Sequence, residues 1–139
     1  MSEKIHLEVV TPDRKVLVAD ADRVEVPGID GELGILPGHT DLVTQLKPAD
    51  YLTYHSCEKS IRLIICGGFA EVGPNLITVL ADNASLAEDI DLSSAIETRN
   101  QTERALSIAT SNPDVDFPTL LIMLERSKLE IDLVQSRQI

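Results

Sequence analysis

Apolar and polar positions alternate from the start of the chain. Ile5, Leu7 and Val9 fall on one side of an extended segment, with Lys4, His6 and Glu8 on the other, because successive side chains of a strand point to opposite faces. A turn at Pro12-Asp13 follows, and "KVLVADADRVEVPG" reads as one or two strands interrupted around residues 20–22. The runs "LVTQLKP", "YLTYHS", "SIRLIICGG", "FAEVG" and "LITVLAD" come next, separated by Pro, Gly, Asn or charged turns. Ile61, Leu63 and Ile65 are assigned to one inward face, as are Leu76, Thr78 and Leu80 in the last strand. Many short strands joined by tight connections predict an antiparallel β-sandwich or barrel over roughly residues 3–84. A parallel βαβ sheet would need crossover helices, and no convincing one precedes residue 86.

From Leu86 the period changes. Asp89 or Asp91 can cap a helix over roughly 91–109, whose apolar stripe is thin: Leu92, Ala95, Ile96, Ala105, Leu106 and Ala109. "TSNPD" at 110–114 breaks it, and a second helix is expected over roughly 116–134, with Pro118 tolerated in its first turn. Leu120, Leu121, Leu124, Ser127, Ile131 and Val134 recur there at spacings of three and four. The fold class is thus a β-sandwich N-terminal domain, residues 1–86, followed by a C-terminal antiparallel α-helical hairpin, residues 87–139. Small Ala and Ser residues let the helices approach closely but bury little area, so the hairpin needs external support.

Composition narrows the function classes. The 139 residues are 43% hydrophobic and 25% charged, which suits a folded domain and not disorder. Aromatic residues are limited to Tyr51, Tyr54, Phe69 and Phe117, so the core must come from Ile, Leu and Val. A net charge of −11 with no Lys/Arg cluster disfavours nucleic acid and direct adsorption on an anionic membrane face. Docking onto a less acidic protein remains open. Cys57 and Cys66 do not form a disulfide framework, and no apolar run approaches a membrane span. The N-terminus shows no basic leader before an apolar stretch.

Catalytic patterns are missing as well. The chain contains no GxSxG, no HExxH and no GxxxxGK[ST]. His39 and Asp41 could each offer a metal ligand, but two ligands do not complete a site. The densest signal is "PGIDGELGILPGHTDL" at 27–42. Gly28, Gly31, Gly34 and Gly38 permit positive φ there, while Leu33, Ile35 and Leu36 can anchor the segment and leave Glu32 displayed. A shaped loop with an exposed acid and no adjacent base suits docking better than reaction.

These residues carry a resemblance. "VEVPGIDGELGILPGHTDLVTQLKP", "GGFAEVGPNLITVLADNA" and a two-helix tail together resemble the epsilon subunit of the F-type ATP synthase, over essentially the whole chain. The resemblance implies a sandwich of about ten strands and a helical hairpin, with catalysis left to other subunits. It implies a rotor-stalk role that couples a membrane c ring and a gamma subunit to rotational ATP synthesis, peripheral on the cytoplasmic side of a bacterial inner membrane. It places Glu32 and His39 at the c-ring contact. It also implies a regulatory hairpin, involving Asp91, Ala95, Arg126 and Lys128, that can extend toward the alpha and beta subunits and weakly inhibit ATP hydrolysis. No cofactor, metal, nucleic acid or membrane insertion is implied.

The departures are specific. "PGHTDL" carries Asp41 where the family usually has Pro, and Ala49 follows "LKP" in place of Gly. The family's nucleotide motif [IL]DxxRA becomes Ile90-Asp91-Leu92-Ser93-Ser94-Ala95, so Ser94 replaces the arginine. Losing a guanidinium removes a bidentate grip on phosphate. Residues 117–139 set Arg126, Lys128 and Arg137 against Glu125, Glu130 and Asp132, so their charges cancel. The alternative readings are a stand-alone β-domain adaptor and a cupin-like metal enzyme centred on His39.

Overall fold

The computed structural model describes residues 3–39, 41–109 and 114–137. Eight strands come first: β1 Ile5–Val10, β2 Lys15–Ala21, β3 Arg23–Gly28, β4 Gly31–Ile35, β5 Leu42–Gln45, β6 Asp50–Ser56, β7 Lys59–Val72 and β8 Leu76–Ser85. A single 3-10 turn at Ala87–Asp89 leads into α1, Leu92–Ala109, and α2, Phe117–Arg137. The chain divides into two compact units at Leu86/Ala87.

Ladder pairing runs β2-β1-β8-β7-β6-β3-β4, with β5 also on β7. One edge of β7 is shared: β6 takes residues 59–65 and β5 takes 69–72. β8 follows the other edge, pairing before and after Gly67. Both long strands therefore bend near Gly67 and Gly68 and serve two layers. Counting each half of β7 and β8 separately turns eight strands into the ten that the resemblance implies. The expectation of a wholly antiparallel sandwich is corrected at one place, since β1 and β8 run parallel. No tight turn can join parallel neighbours; here the six intervening strands make the crossover.

Ile5, Leu7 and Val9 are fully buried, as their alternation predicts, and Leu63 and Ile65 join them in one core with Val24, Val26, Leu52, Ile77 and Val79. Each such side chain contributes roughly 1.5–3 kcal/mol when removed from water. Ile61, however, is 39% exposed. The inward face assigned to β8 is also wrong: Ile77, Val79 and Ala81 point inward, while Leu76 and Leu80 face out. "LITVLA" is apolar on both faces, so alternation alone could not choose between them.

The helices start where carboxylates cap them. Asp91 accepts the Ser93 amide at 3.0 Å and the Ser94 hydroxyl at 3.1 Å. Asp116 accepts the Thr119 hydroxyl at 2.6 Å and the Thr119 amide at 3.2 Å. The hydroxyl bond, then the amide bond, hold the Asp116 carboxyl below its ordinary value. Its cap is thus intact above the usual carboxylate range and is lost as pH falls through the lowered value. Of the expected break at 110–114, only Asp114 is among the described residues. Within the hairpin, α1 buries Ala95, Thr102 and Ala109, and α2 buries Ser127, Leu129, Ile131 and Leu133. Thr102 escapes an apolar-stripe reading because its hydroxyl is satisfied internally, donating to the Thr98 carbonyl at 2.7 Å. Leu121, placed in the stripe of α2, is 47% exposed.

Candidate docking surfaces

The glycine-rich segment builds the β3–β4 hairpin and the loop beyond it. Glu32 sits on β4 opposite Pro27 and is exposed, as the sequence predicts. It lines a shallow depression of about 170 Å³ with Glu25, Asp50, Tyr51 and Arg62. The Arg62 guanidinium stacks 4.6 Å from the centre of the Tyr51 ring. Of the four glycines read as φ-permissive, Gly31 and Gly38 adopt positive φ. Ile35 anchors the segment at full burial, but Leu36 is 59% exposed and is no anchor. His39 lies past β4, half-buried, its amide bonded to the Leu36 carbonyl at 3.2 Å. The preceding Gly38 amide reaches the Pro74 carbonyl of the β7–β8 turn at 2.7 Å. Glu32 and His39 thus belong to opposite ends of β4, and His39 does not line the Glu32 depression.

The hairpin residues are not gathered into one site either. Asp91 and Ala95 open α1, where Asp91 is committed to its cap and Ala95 is buried. Arg126 and Lys128 stand in the middle of α2. Arg126 Nε lies 3.8 Å from Glu130 Oε1, an ion pair without a hydrogen bond. Burial pushes the Glu130 carboxyl up, partly offset by Arg126. Lys128 is exposed. Ser94, where the family motif has arginine, turns its hydroxyl onto Asp91 and offers no cation.

A third surface was not read from the sequence. Reversing the face of β8 brings Leu76 and Leu80 to the outside of the layer β2-β1-β8-β7-β5, where Phe69 pairs with Leu80. Val43 of β5 and Val18 of β2 lie on the same face. Exposure is 66% for Val43, 52% for Phe69, 49% for Val18 and 46% for both leucines. Glu8 and Glu71 interleave with them, flanking Thr78 in register. Leu80 and Phe69 are cross-strand partners with Val43 diagonal to Phe69, while Thr78 sets Leu76 apart from them and Glu8 and Thr78 set Val18 apart. An exposed apolar patch of this kind marks an interaction surface. The signal available in the sequence was a strand with more apolar residues than one core face can use.

Among the described residues no group of three or more His, Cys, Asp or Glu is placed to hold a metal ion. No described helix is long and apolar enough to cross a membrane. Comparison with known proteins fits this chemistry-poor, surface-rich chain. Residues 4–87 match the family described as ATP synthase, Delta/Epsilon chain, beta-sandwich domain. An ATP synthase epsilon chain from Nitratidesulfovibrio vulgaris (strain DP4) is 41% identical over 107 residues, 77% of this chain and 79% of that one. One from Herpetosiphon aurantiacus is 38% identical over 134 residues, 96% of each chain. A chain in the structure of the Euglena gracilis mitochondrial ATP synthase OSCP/F1/c-ring shares the fold at a TM-score of 0.69 and 24% identity, over 98% of this chain and 82% of its own. The match over most of the sandwich, with epsilon chains alike through the hairpin, leaves one assignment: the chain belongs to the ATP synthase delta/epsilon chain family.

Proposed function

We propose that the chain is a non-catalytic subunit of the central rotor stalk of an F-type ATP synthase, peripheral on the cytoplasmic side of a bacterial inner membrane. In this reading the outward apolar face centred on Phe69 docks the gamma subunit, and the Glu32 end of the β3–β4 hairpin meets polar loops of the c ring, while His39, past the other end of β4, makes a separate contact. The exposed apolar face is the observation that carries the reading, because a free chain would gain nothing from displaying it. Co-purification tests it: the chain should hold gamma and the c ring, whereas a stand-alone adaptor would hold neither.

The Glu32 contact is electrostatic and exposed, so its expected contribution is small. Glu32→Gln should leave unfolding stability within about 0.5 kcal/mol and loosen c-ring assembly by less than about fivefold, an effect that fades with added salt. Identical assembly of both chains across a salt titration would remove the charge from the interface.

The hairpin is proposed as a weak regulatory arm that reaches the alpha and beta subunits when extended. Phe117, Leu121, Ile122 and Met123 are exposed near the loop end of α2 and supply apolar contact. Arg126 is already paired with Glu130, which leaves little charge for an acidic partner. Nucleotide sensing through the first turn of α1 is not expected. The cap occupies both Asp91 oxygens, and Ser94 contributes no positive charge. Calorimetry with ATP and Mg²⁺ should therefore give no isotherm in the micromolar range; a clear one would show that another basic group has taken over.

A further inference from the structure

His6 stands on the docking face between two carboxylates. Its Nδ1 is 3.1 Å from Asp20 Oδ1 across the ladder on β2, and its Nε2 is 3.3 Å from Glu8 Oε1 on its own strand. A carboxylate only accepts hydrogen bonds, and a neutral imidazole has one N–H to donate. Only the imidazolium can satisfy both neighbours at once. The Asp20 hydrogen bond first, then that to Glu8, accordingly hold the ring above the ordinary histidine value of 6.5.

The surroundings decide what a docked partner would do to this proton. On β2, Lys15 Nζ lies 3.7 Å from Glu8 Oε1, and Asp22, just beyond β2, is bonded to Lys4. On the other side of β1, β8 presents Leu76 opposite His6 and Thr78 opposite Glu8, neither of them titratable. Glu71 on β7 lies beyond Thr78. With the Lys4–Asp22 pair compensating itself, Glu8, Asp20 and Glu71 face Lys15 alone when His6 is neutral, and face Lys15 and His6 when it is charged. Covering the face removes water that screens this excess of negative charge, which favours the charged ring. Loss of the ring's own hydration opposes this, and the two carboxylates within 3.3 Å of its nitrogens make the first effect the larger.

We infer that docking on this face raises the proton occupancy of His6 by a fraction of a proton, so that the subunit binds gamma more tightly as pH falls. The inference rests on the proposed docking role of the Phe69 face. The free chain already titrates above 6.5, so the change in affinity lies above that pH and flattens below it.

The test titrates the full chain with purified gamma between pH 6 and 9, as wild type and as His6→Gln, which keeps a hydrogen-bonding side chain without the charge. Wild-type affinity should weaken by about threefold more than that of the variant between pH 6.5 and 8.5. Calorimetry in two buffers of different ionisation enthalpy should show net proton uptake on docking at pH 7.5, a readout on the unmodified chain that needs no variant to fold. Parallel pH profiles, or proton release, would overturn the inference. Phe69→Glu separates this failure from failure of the docking reading: undiminished binding by that variant sinks the docking face and the inference together. Binding lost in Phe69→Glu with parallel pH profiles for wild type and His6→Gln sinks the proton linkage alone.

Discussion

Gly68→Ala is expected to remove a large part of the sandwich's stability, while Gly38→Ala costs only about 1 kcal/mol. Both glycines have left-handed φ, +100° at Gly68 and +88° at Gly38, so both substitutions carry backbone strain. They differ in what a methyl group would meet. Around Gly38 nothing lies within 4 Å. At Gly68 an added Cβ would stand 2.0 Å from the Leu80 carbonyl oxygen and 2.9 Å from the Ala81 Cα, both backbone atoms of the paired strand. Neither can rotate away. Moving Gly68 away from β8 to make room would instead disturb the bond from the Leu46 amide to the Gly68 carbonyl, at 2.9 Å, where β5 ends. Three strands meet at this bend, so relief in one ladder breaks another. A loss of more than about 3 kcal/mol follows, a large part of the 5–15 kcal/mol typical of small domains. Chemical denaturation of both variants gives the comparison; equal losses would mean that the bend tolerates a side chain and that β7 and β8 do not turn the sheet there.

Where one face of an element is polar, its orientation could be read from the sequence. Ile5, Leu7 and Val9 are opposed by Lys4, His6 and Glu8, and their burial follows without choice. The change of period at Leu86 and the helix start at Asp116 were equally legible, whereas the first cap was left between Asp89 and Asp91 and the structure assigns it to Asp91, whose carboxylate meets the orphan amide of Ser93. β8 was not legible. With Leu76, Ile77, Val79 and Leu80 all apolar, period two offers two solutions, and the long-range pairing with β1 and β7 selects one. In α2 the reading took one apolar row, whereas Leu129 and Leu133 form a second beside Ser127 and Ile131. The parallel contact of β1 with β8 joins segments about seventy residues apart, which no local pattern encodes. As for the candidate site residues, the resemblance pointed to Glu32 and His39, and their separation along β4 needed the ladder.

The apolar face and the Glu32 hairpin call for different kinds of contact, and the difference can be measured. A displayed carboxylate in a shallow, charged depression tunes register and encounter, and salt weakens it. An exposed phenylalanine paired with Leu80 and diagonal to Val43 can instead act as an anchor, since aromatic side chains bury large area with few rotatable bonds. The two surfaces belong to opposite sides of the sheet bend, Phe69 on the β5 half of β7 and the depression against the β6 half. The proposed contacts thus fall on different stretches of the shared strand β7, around Arg62 and around Phe69.

Phe69→Glu should weaken gamma binding by about 30- to 1,000-fold, the cost of roughly 2–4 kcal/mol for losing a central aromatic anchor. The new carboxylate would lie on the same face as Glu8 and Glu71, adding a further negative charge where a partner must exclude water. The free chain should hardly notice. Phe69 is 52% exposed and stands outside the buried core, so unfolding stability is expected to change by no more than about 0.5 kcal/mol. That contrast makes the measurement decisive, because a variant that merely unfolds would lose both quantities together. Phe69→Leu should retain much of the affinity, as an apolar side chain still fills part of the contact. Raising salt from 0.05 to about 0.5 M should change wild-type gamma binding much less than it changes the Glu32-dependent c-ring contact, since screening acts on exposed charges and leaves apolar burial intact. Equal gamma affinity for wild type and Phe69→Glu, with both chains folded, would place the gamma contact elsewhere and leave this apolar face without its proposed partner.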